Sequence, residues 1–382
     1  MQKKQKNSDG NNRPLRIGII APIAERVPPV KYGGTERVIY ALTEELVRRG
    51  HEVTLFASGD SSTSARLVSL YPKALTAAKL EDAFGPNLMT MHHIGFAYSL
   101  QNQFDVIHDH TIKCWSLPTA NISQTPVVMT LHGPISVYEK KIFDSLRNPY
   151  LVTVSKSQAY PAPNLNYIAN VYHGLNMRNY PFSEKHDSYL LFVGRISREK
   201  GVHFAIEVAQ YLNIPLIIAA KLNSIKNVPE DVVYFKEYIE PLLSDQIIFV
   251  GEVDEQERNK LMSKAMCLLH PITFREPFGL VMIEAMATGC PVVAFGLGSV
   301  PEIVNDGKTG FVVSDLNGMI DAILNIDSID RRACRQYALK NFNDIQMTDK
   351  YEKVYREIVR LKKLAVSRKP KTIETAYAHE IS

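Results

Sequence analysis

Two glutamates, Glu276 and Glu284, stand eight positions apart in Arg275-Glu276-Pro277-Phe278-Gly279-Leu280-Val281-Met282-Ile283-Glu284-Ala285. The segment reads as a loop carboxylate, a helix opened by Pro277, and a second carboxylate one turn inside that helix. Proline suits a first turn because its missing N–H would be unpaired anyway. Gly279 lets a ligand approach the backbone. The amides of Gly279, Leu280 and Val281 then face outward at the positive end of the helix dipole, which makes an anion site. A loop carboxylate beside such amides can hold a molecule carrying both hydroxyls and phosphates, as a nucleotide sugar does. An exposed Glu276 and a salt-bridged Glu284 are the plain alternative, and the Pro-Phe-Gly context argues against it.

Three further constellations carry chemistry. In Phe192-Val193-Gly194-Arg195-Ile196-Ser197-Arg198-Glu199-Lys200-Gly201, a strand ends at Gly194 and a helix begins near Gly201. Arg195 and Lys200 thus lie at the carboxyl end of a strand, where Arg grips phosphate through two hydrogen bonds. The alternative is a solvated basic turn with Arg198 paired to Glu199. Tyr32-Gly33-Gly34-Thr35-Glu36-Arg37 opens the first long helix, and its glycines allow close backbone approach; it can equally be a tight turn. In Thr130-Leu131-His132-Gly133-Pro134, His132 follows a strand and precedes a turn. It either faces a cleft and bonds a sugar hydroxyl or is a buried structural histidine. His108-Asp109-His110 has metal-like spacing but no third ligand, and His173-Gly174 reads as a turn near the cleft or hinge.

The absences narrow the chemistry. No Asp-x-Asp occurs, so the usual carboxylate pair for a divalent ion on a nucleoside diphosphate is missing. Any pyrophosphate must be neutralised by Arg195, Lys200 and helix amides, with no metal site. Gly307-Lys308-Thr309 is not a triphosphate loop, because Glu302 stands where its first glycine belongs. The first strand runs into Ala21-Pro22-Ile23-Ala24-Glu25, not G-x-G-x-x-G, and Pro301 denies the third site to Gly296-x-Gly298. A nicotinamide dehydrogenase is disfavoured. No G-x-S-x-G supports an esterase.

The elements that position these residues follow from hydrophobic patterning. At 382 residues the chain exceeds one ordinary core, so two domains are expected. Hydrophobic content of 45% and charged content of 22% are those of a globular protein. A net charge of +4 argues against a dedicated nucleic-acid binder. The four cysteines form no C-x-x-C, and three of them lie in apolar runs and read as reduced core residues, in keeping with a cytoplasmic setting. No apolar run approaches the ~20 residues needed to span a bilayer. Apolar runs at 15–22, 52–59, 104–108, 126–131 and 150–154 read as buried strands. Between the first two, Val38, Ile39, Leu42 and Leu46 form a helical face. The pattern restarts with strands at 189–193, 215–220, 247–250, 267–270 and 292–295 and helices at 202–212, 254–265 and 278–288. This alternation predicts two α/β, doubly wound, Rossmann-like domains with parallel sheets. Ligands bind beyond the carboxyl ends of such strands. The expected division is a disordered N-terminus (1–13), an N-terminal domain (14–180), a C-terminal domain (181–348), a helix packing back on the body (349–366) and a disordered tail (367–382). From Lys350 to Lys371 there are nine Lys or Arg against two Glu. That is a solvated helix and tail, or a weak peripheral contact with a membrane.

In order and spacing these residues resemble the GT-B glycosyltransferases of family 4, a retaining family. The resemblance runs from about Leu15 to Leu364. It rests on Glu276-x7-Glu284 with Pro-Phe-Gly, on Gly-Arg-x4-Lys-Gly and on Thr-Leu-His-Gly. The opening Ala21–Val38 and Leu55-Phe56-Ala57-Ser58-Gly59-Asp60-Ser61 also resemble a narrower branch that includes UDP-glucose:tetrahydrobiopterin glucosyltransferases. The resemblance implies two domains facing across a cleft and transfer of a hexose, glucose by the branch, from a UDP-sugar to a small-molecule or glycan acceptor, with no metal or other cofactor. The C-terminal domain would bind the donor. Gly194, Arg195 and Lys200 would hold the diphosphate with the amides of Gly279, Leu280 and Val281. Glu284 would take the ribose, Glu276 the transferred sugar, and Gly251 and Val253 the base. The N-terminal domain would bind the acceptor, with Gly33 and Gly34 near the phosphate and His132 near the reacting sugar. By the same resemblance the acceptor attacks from the face of departure and a phosphate oxygen takes its proton. A non-catalytic nucleotide-sugar-binding protein on the same fold is the alternative.

Overall fold

The computed structural model describes residues 13–78, 85–111, 114–222 and 229–368, with side chains as far as 365. The tails expected to be disordered lie outside these residues, except for Arg13, which pairs with Asp105, and the backbone of 367–368. Among the described residues the strands are β1 (Arg16–Ile20), β2 (Glu52–Phe56), β3 (Arg66–Val68), β4 (Val106–Asp109), β5 (Val127–Thr130), β6 (Tyr150–Thr153) and β7 (Tyr167–Asn170). The second set is β8 (Leu190–Arg195), β9 (Leu216–Lys221), β10 (Ile247–Gly251), β11 (Leu268–His270), β12 (Val292–Phe295) and β13 (Gly310–Val313). They form two all-parallel sheets, ordered β3-β2-β1-β4-β5-β6-β7 and β10-β9-β8-β11-β12-β13.

The helices are α1 (Gly34–Arg48), α2 (Gly85–Ser99), α3 (Leu117–Ile122), α4 (Val137–Ser145), α5 (Val202–Leu212), α6 (Pro229–Tyr234), α7 (Glu255–Lys264), α8 (Leu280–Ala287), α9 (Val300–Ile303), α10 (Leu316–Leu324), α11 (Arg331–Asn341) and α12 (Asp344–Arg368). Both sheets are covered on both faces, so their central strands are apolar throughout rather than alternating. The periodic face of α1 is buried as its spacing predicts, with Val38, Ile39, Leu42 and Leu46 fully enclosed. Among the described residues no helix is long and apolar enough to cross a membrane.

Sequence patterning misses β3, β7 and β13. They are short edge strands with half-exposed residues, and their apolar runs, three residues at most, do not stand out. The last helix starts at Asp344, five residues before the expected point. Asn343 accepts from the Gln346 amide at 2.8 Å, an N-cap bond that fixes this start. The helix packs back on the body as expected, against the N-terminal sheet. Tyr351 and Tyr355 are fully buried, and their hydroxyls meet Thr130 at 2.8 Å and His108 at 2.6 Å. At Gly174 the crossing chain lies so close that a Cβ would sit 2.1 Å from the Asn343 carbonyl oxygen. One apolar core therefore runs from the α1 face of the first sheet, past Leu175 and Phe342, into the second domain.

Candidate active site

The carboxyl ends of the two sheets face each other across a cleft of about 600 Å³. Gly33, Gly34 and His132 line one wall. Gly194, Arg195, Lys200, Val253, Glu276, Gly279, Leu280, Val281 and Glu284 line the other. Gly251 does not line it. Its left-handed φ of 75° turns the chain so that Glu252 and Val253 face inward instead.

Helix α8 begins at Leu280, with Gly279 as N-cap at φ 78°. Pro277 therefore lies ahead of the helix and not in its first turn. The left-handed glycine breaks the chain direction there, and only residues after it can enter the helix. The first-turn amides still lack intrahelical acceptors and face the cleft. The loop carrying Glu276 is pinned from behind. The Ser299 amide donates to the Glu276 carbonyl at 3.0 Å, and the Ser299 hydroxyl to the Phe278 carbonyl at 2.7 Å. A Cβ on Gly298 would fall 2.4 Å from the Glu276 nitrogen, so only glycine permits this approach. The failed dinucleotide fingerprint at Gly296-x-Gly298 thus has a use that spacing alone does not reveal.

Lys200 Nζ donates to Glu276 Oε2 at 2.5 Å, and His270 Nε2 lies 3.8 Å from the same oxygen. Burial works to raise the Glu276 carboxyl. Lys200, His270 and Arg195 outweigh it and hold the group below its ordinary value, so it is ionised. The His270 ring is driven down to about 4, chiefly by burial. Arg195, from the end of β8, lies 3.6 Å from Glu199. Arg198 does not pair with Glu199 but lies over the Tyr238 ring, 4.7 Å from its centre. A solvated Arg198–Glu199 turn is therefore not what forms.

Glu284 is nearly inaccessible. Its Oε1 accepts from Arg258 Nη2 at 3.0 Å and pairs with Arg37 Nη1 of α1, from the opposite domain. The salt-bridged reading of Glu284 therefore holds. Neither arginine stands out in the sequence as a site residue. Arg37 is visible only as the tail of the Gly-Gly segment, and Arg258 lies in a helix that reads as ordinary surface.

The histidines of the first domain form a row. His108 is satisfied by Tyr355 and by Thr130 Oγ1 at 2.7 Å, and Asp109 by Tyr98 and Thr111. The metal-like spacing therefore serves internal bonds, and among the described residues no cluster has the geometry to hold a metal ion. His110 Nδ1 lies 2.9 Å from His132 Nε2, and His132 stacks on His173 with ring centres 5.2 Å apart. Burial lowers all four rings, His132 to about 3. His132 is thus half-buried at the cleft, and the two sequence alternatives for it are not exclusive. At the start of α1, Glu36 is buried. Burial lifts its carboxyl from 4.5 to about 7.

Two family models match the chain: "Glycosyltransferase Family 4" over residues 32–163 and "Glycosyl transferases group 1" over 176–340. The N-acetyl-alpha-D-glucosaminyl L-malate synthase of Bacillus anthracis is 24% identical, over 91% of this chain and 98% of its own. A sucrose-phosphate synthase from Thermosynechococcus elongatus superposes with a TM-score of 0.76 at 19% identity, covering 91% of this chain and 100% of its own. The Anabaena protein Alr3699/HepE, solved with UDP-glucose, gives 0.68 at 17%, covering 90% and 100%. At these identities the structural likeness is one of fold.

Proposed function

This chain belongs to the GT-B glycosyltransferases of family 4, and from that premise we propose a retaining, metal-independent transfer of a hexose from a UDP-sugar to a hydroxyl acceptor. Glucose is the expected hexose, and the acceptor is a small molecule or a glycan. The observation that carries the reading is the Lys200–Glu276 pair, set beside Arg195 at the open N-terminus of α8. That the Anabaena structural neighbour holds UDP-glucose supports the donor.

As the glycosidic bond breaks, the nucleoside diphosphate gathers negative charge. Arg195, Lys200 and the first-turn amides of α8 meet it with fixed positive charge, the part a divalent ion would otherwise take. Lysine has three donors, so Lys200 can hold Glu276 and a phosphate oxygen together. The ionised Glu276 orients the sugar and lies near its cation-like carbon. Glu284 receives the ribose hydroxyls, and the Glu252–Val253 turn meets the base. His132, with Nε2 engaged by His110, keeps its other edge for a sugar hydroxyl. The acceptor oxygen bonds to the anomeric carbon on the face of departure, and its proton passes to the leaving phosphate oxygen.

A thermal-shift screen of UDP-, GDP- and ADP-sugars tests the donor. A shift with UDP-sugars alone is expected, and a preference for another base overturns that part. The anomeric proton coupling of the product, read by NMR, reports retention. Turnover should be unchanged in EDTA, and strict dependence on an added divalent ion would contradict the charge argument.

A further inference from the structure

Arg37 belongs to the domain assigned to the acceptor, yet its side chain ends in the wall assigned to the donor. Its Nη1 pairs with Glu284 Oε1. Its Nη2 donates to the Tyr180 hydroxyl at 2.7 Å and to Glu255 at 3.1 Å. Tyr180 in turn donates to Glu255 at 2.8 Å. The guanidinium is only 9% exposed, so its geometry is fixed by these partners and not by solvent. Arginine suits the position because its planar fork can serve several acceptors at once.

The consequence for Glu284 is specific. Its Oε1 is engaged by both Arg37 and Arg258. Its Oε2 receives no hydrogen bond from the described residues. A carboxylate held this way has one oxygen locked and the other presented. The same segment of chain reaches the donor wall at a second point. The Tyr32 amide donates to Glu252 Oε1 at 3.1 Å, and Lys31 Nζ to the Glu252 carbonyl at 3.1 Å. Glu252 lies on the turn assigned to the base. Residues 31–37 of one domain therefore touch both the base side and the ribose side of the other.

We propose that Arg37 is a positioning residue of the donor site, which orients Glu284 from across the cleft so that its free oxygen recognises the ribose hydroxyls. The ribose site is then complete only when both domains are present and closed. The inference rests on the reading of Glu284 as the ribose partner. It adds that discrimination for ribose depends on a residue of the opposite domain.

The test compares binding of UDP and 2′-deoxy-UDP, by calorimetry, to the full chain and its variants. The unaltered protein should prefer UDP, because removing the sugar hydroxyl leaves a buried carboxylate oxygen unpaired. Arg37→Ala should cut that preference by about tenfold or more, with 2′-deoxy-UDP affinity little changed. Arg37→Lys should recover only part of it, since an ammonium cannot reach Glu284, Tyr180 and Glu255 in one plane. It also serves if Arg37→Ala does not fold. An unchanged preference in whichever arginine variant folds overturns the inference. Glu284→Gln separates the two layers. If it abolishes the preference while the arginine variants keep it, the ribose reading stands and Arg37 has no part. If Glu284→Gln also keeps the preference, both fall.

Discussion

Two glutamates, one on each wall of the cleft, the first half-buried and the second buried, have opposite fates. Glu276 and Glu36 are both withdrawn from water, and burial pushes both carboxyls upward. On the C-terminal wall Lys200, His270 and Arg195 reverse the push, and Glu276 is ionised. On the N-terminal wall a backbone hydrogen bond and Lys221, facing it from β9, are too weak to do so, Glu25 works the other way, and Glu36 rises to about 7. The histidines do not share the contrast, since burial lowers His132 to about 3 on one wall and His270 to about 4 on the other. At these groups the C-terminal wall sets charge against charge, while Glu36 and His132 stand as neutral hydrogen-bonding groups on the other, beside the charged Arg37. In the proposed reaction the first faces a departing diphosphate, the second a sugar and an acceptor whose charges are small until bonds change. The teaching is that burial alone does not decide ionisation. The partner supplied at bonding distance decides it.

Breaking the charged wall should cost most. Arg195→Ala and Lys200→Ala should each lower kcat/KM by ~10²–10³-fold, the loss expected on removing one preorganised charge donor. The check is sugar transfer measured beside a circular-dichroism melt. The two variants should differ in one respect. Arg195 is a third exposed, so its loss leaves the fold intact. Lys200 is the partner of a half-buried carboxylate, so its removal should also destabilise the protein by ~1–3 kcal/mol. Breaking the neutral wall should cost less and act elsewhere. His132→Ala should slow transfer by ~10-fold to 10²-fold, on the scale of hydrogen bonds lost from a half-buried site, with UDP binding unmoved. If His132→Ala weakens UDP binding as much as Arg195→Ala does, the division of the walls fails.

How much of this could be read from the sequence divides along the same line. The charged wall is legible because its residues are local to two segments: Gly194–Lys200 at a strand end and Glu276–Glu284 at a helix start. Their types and spacing already imply an anion site. What pins them is not legible. Gly298 and Ser299 act through backbone contacts made 20 or so positions from their target, and nothing in Gly296-x-Gly298 marks that use. Arg37 and Arg258 converge on Glu284 from positions 247 and 26 residues away, a meeting set by how the two domains close. The same holds for the histidine row. His108, His110, His132 and His173 look like separate strand-end residues, and only the parallel pairing of β4 with β5 brings the first three together. The fold itself follows from the alternation of apolar runs and amphipathic helices, since a two-sided sheet needs strands apolar on both faces. Three of its four edges escape because an edge strand does not, while the fourth, β10, is legible as the apolar run at 247–250.

The smallest predicted effect tests the neutral wall at its carboxyl. Glu36 has a folded pKa near 7 against an ordinary 4.5. Between those values the unfolded chain has lost the proton and the folded chain keeps it, so folding takes up a proton. Stability therefore falls as pH rises from about 4.5 to about 7 and is level above that. Each pKa unit is worth about 1.4 kcal/mol, which sets a ceiling of roughly 3 kcal/mol on the loss. Glu36→Gln removes the titration while keeping the shape and a neutral polar tip. The variant should lose less stability than the parent across that window, and the two should agree near pH 4. Urea unfolding at a series of pH values reads the difference. If the two proteins run parallel, Glu36 is ionised in the folded state after all. The N-terminal wall would then carry a negative charge at the mouth of α1, where a departing phosphate would be repelled and the contrast between the walls would not hold.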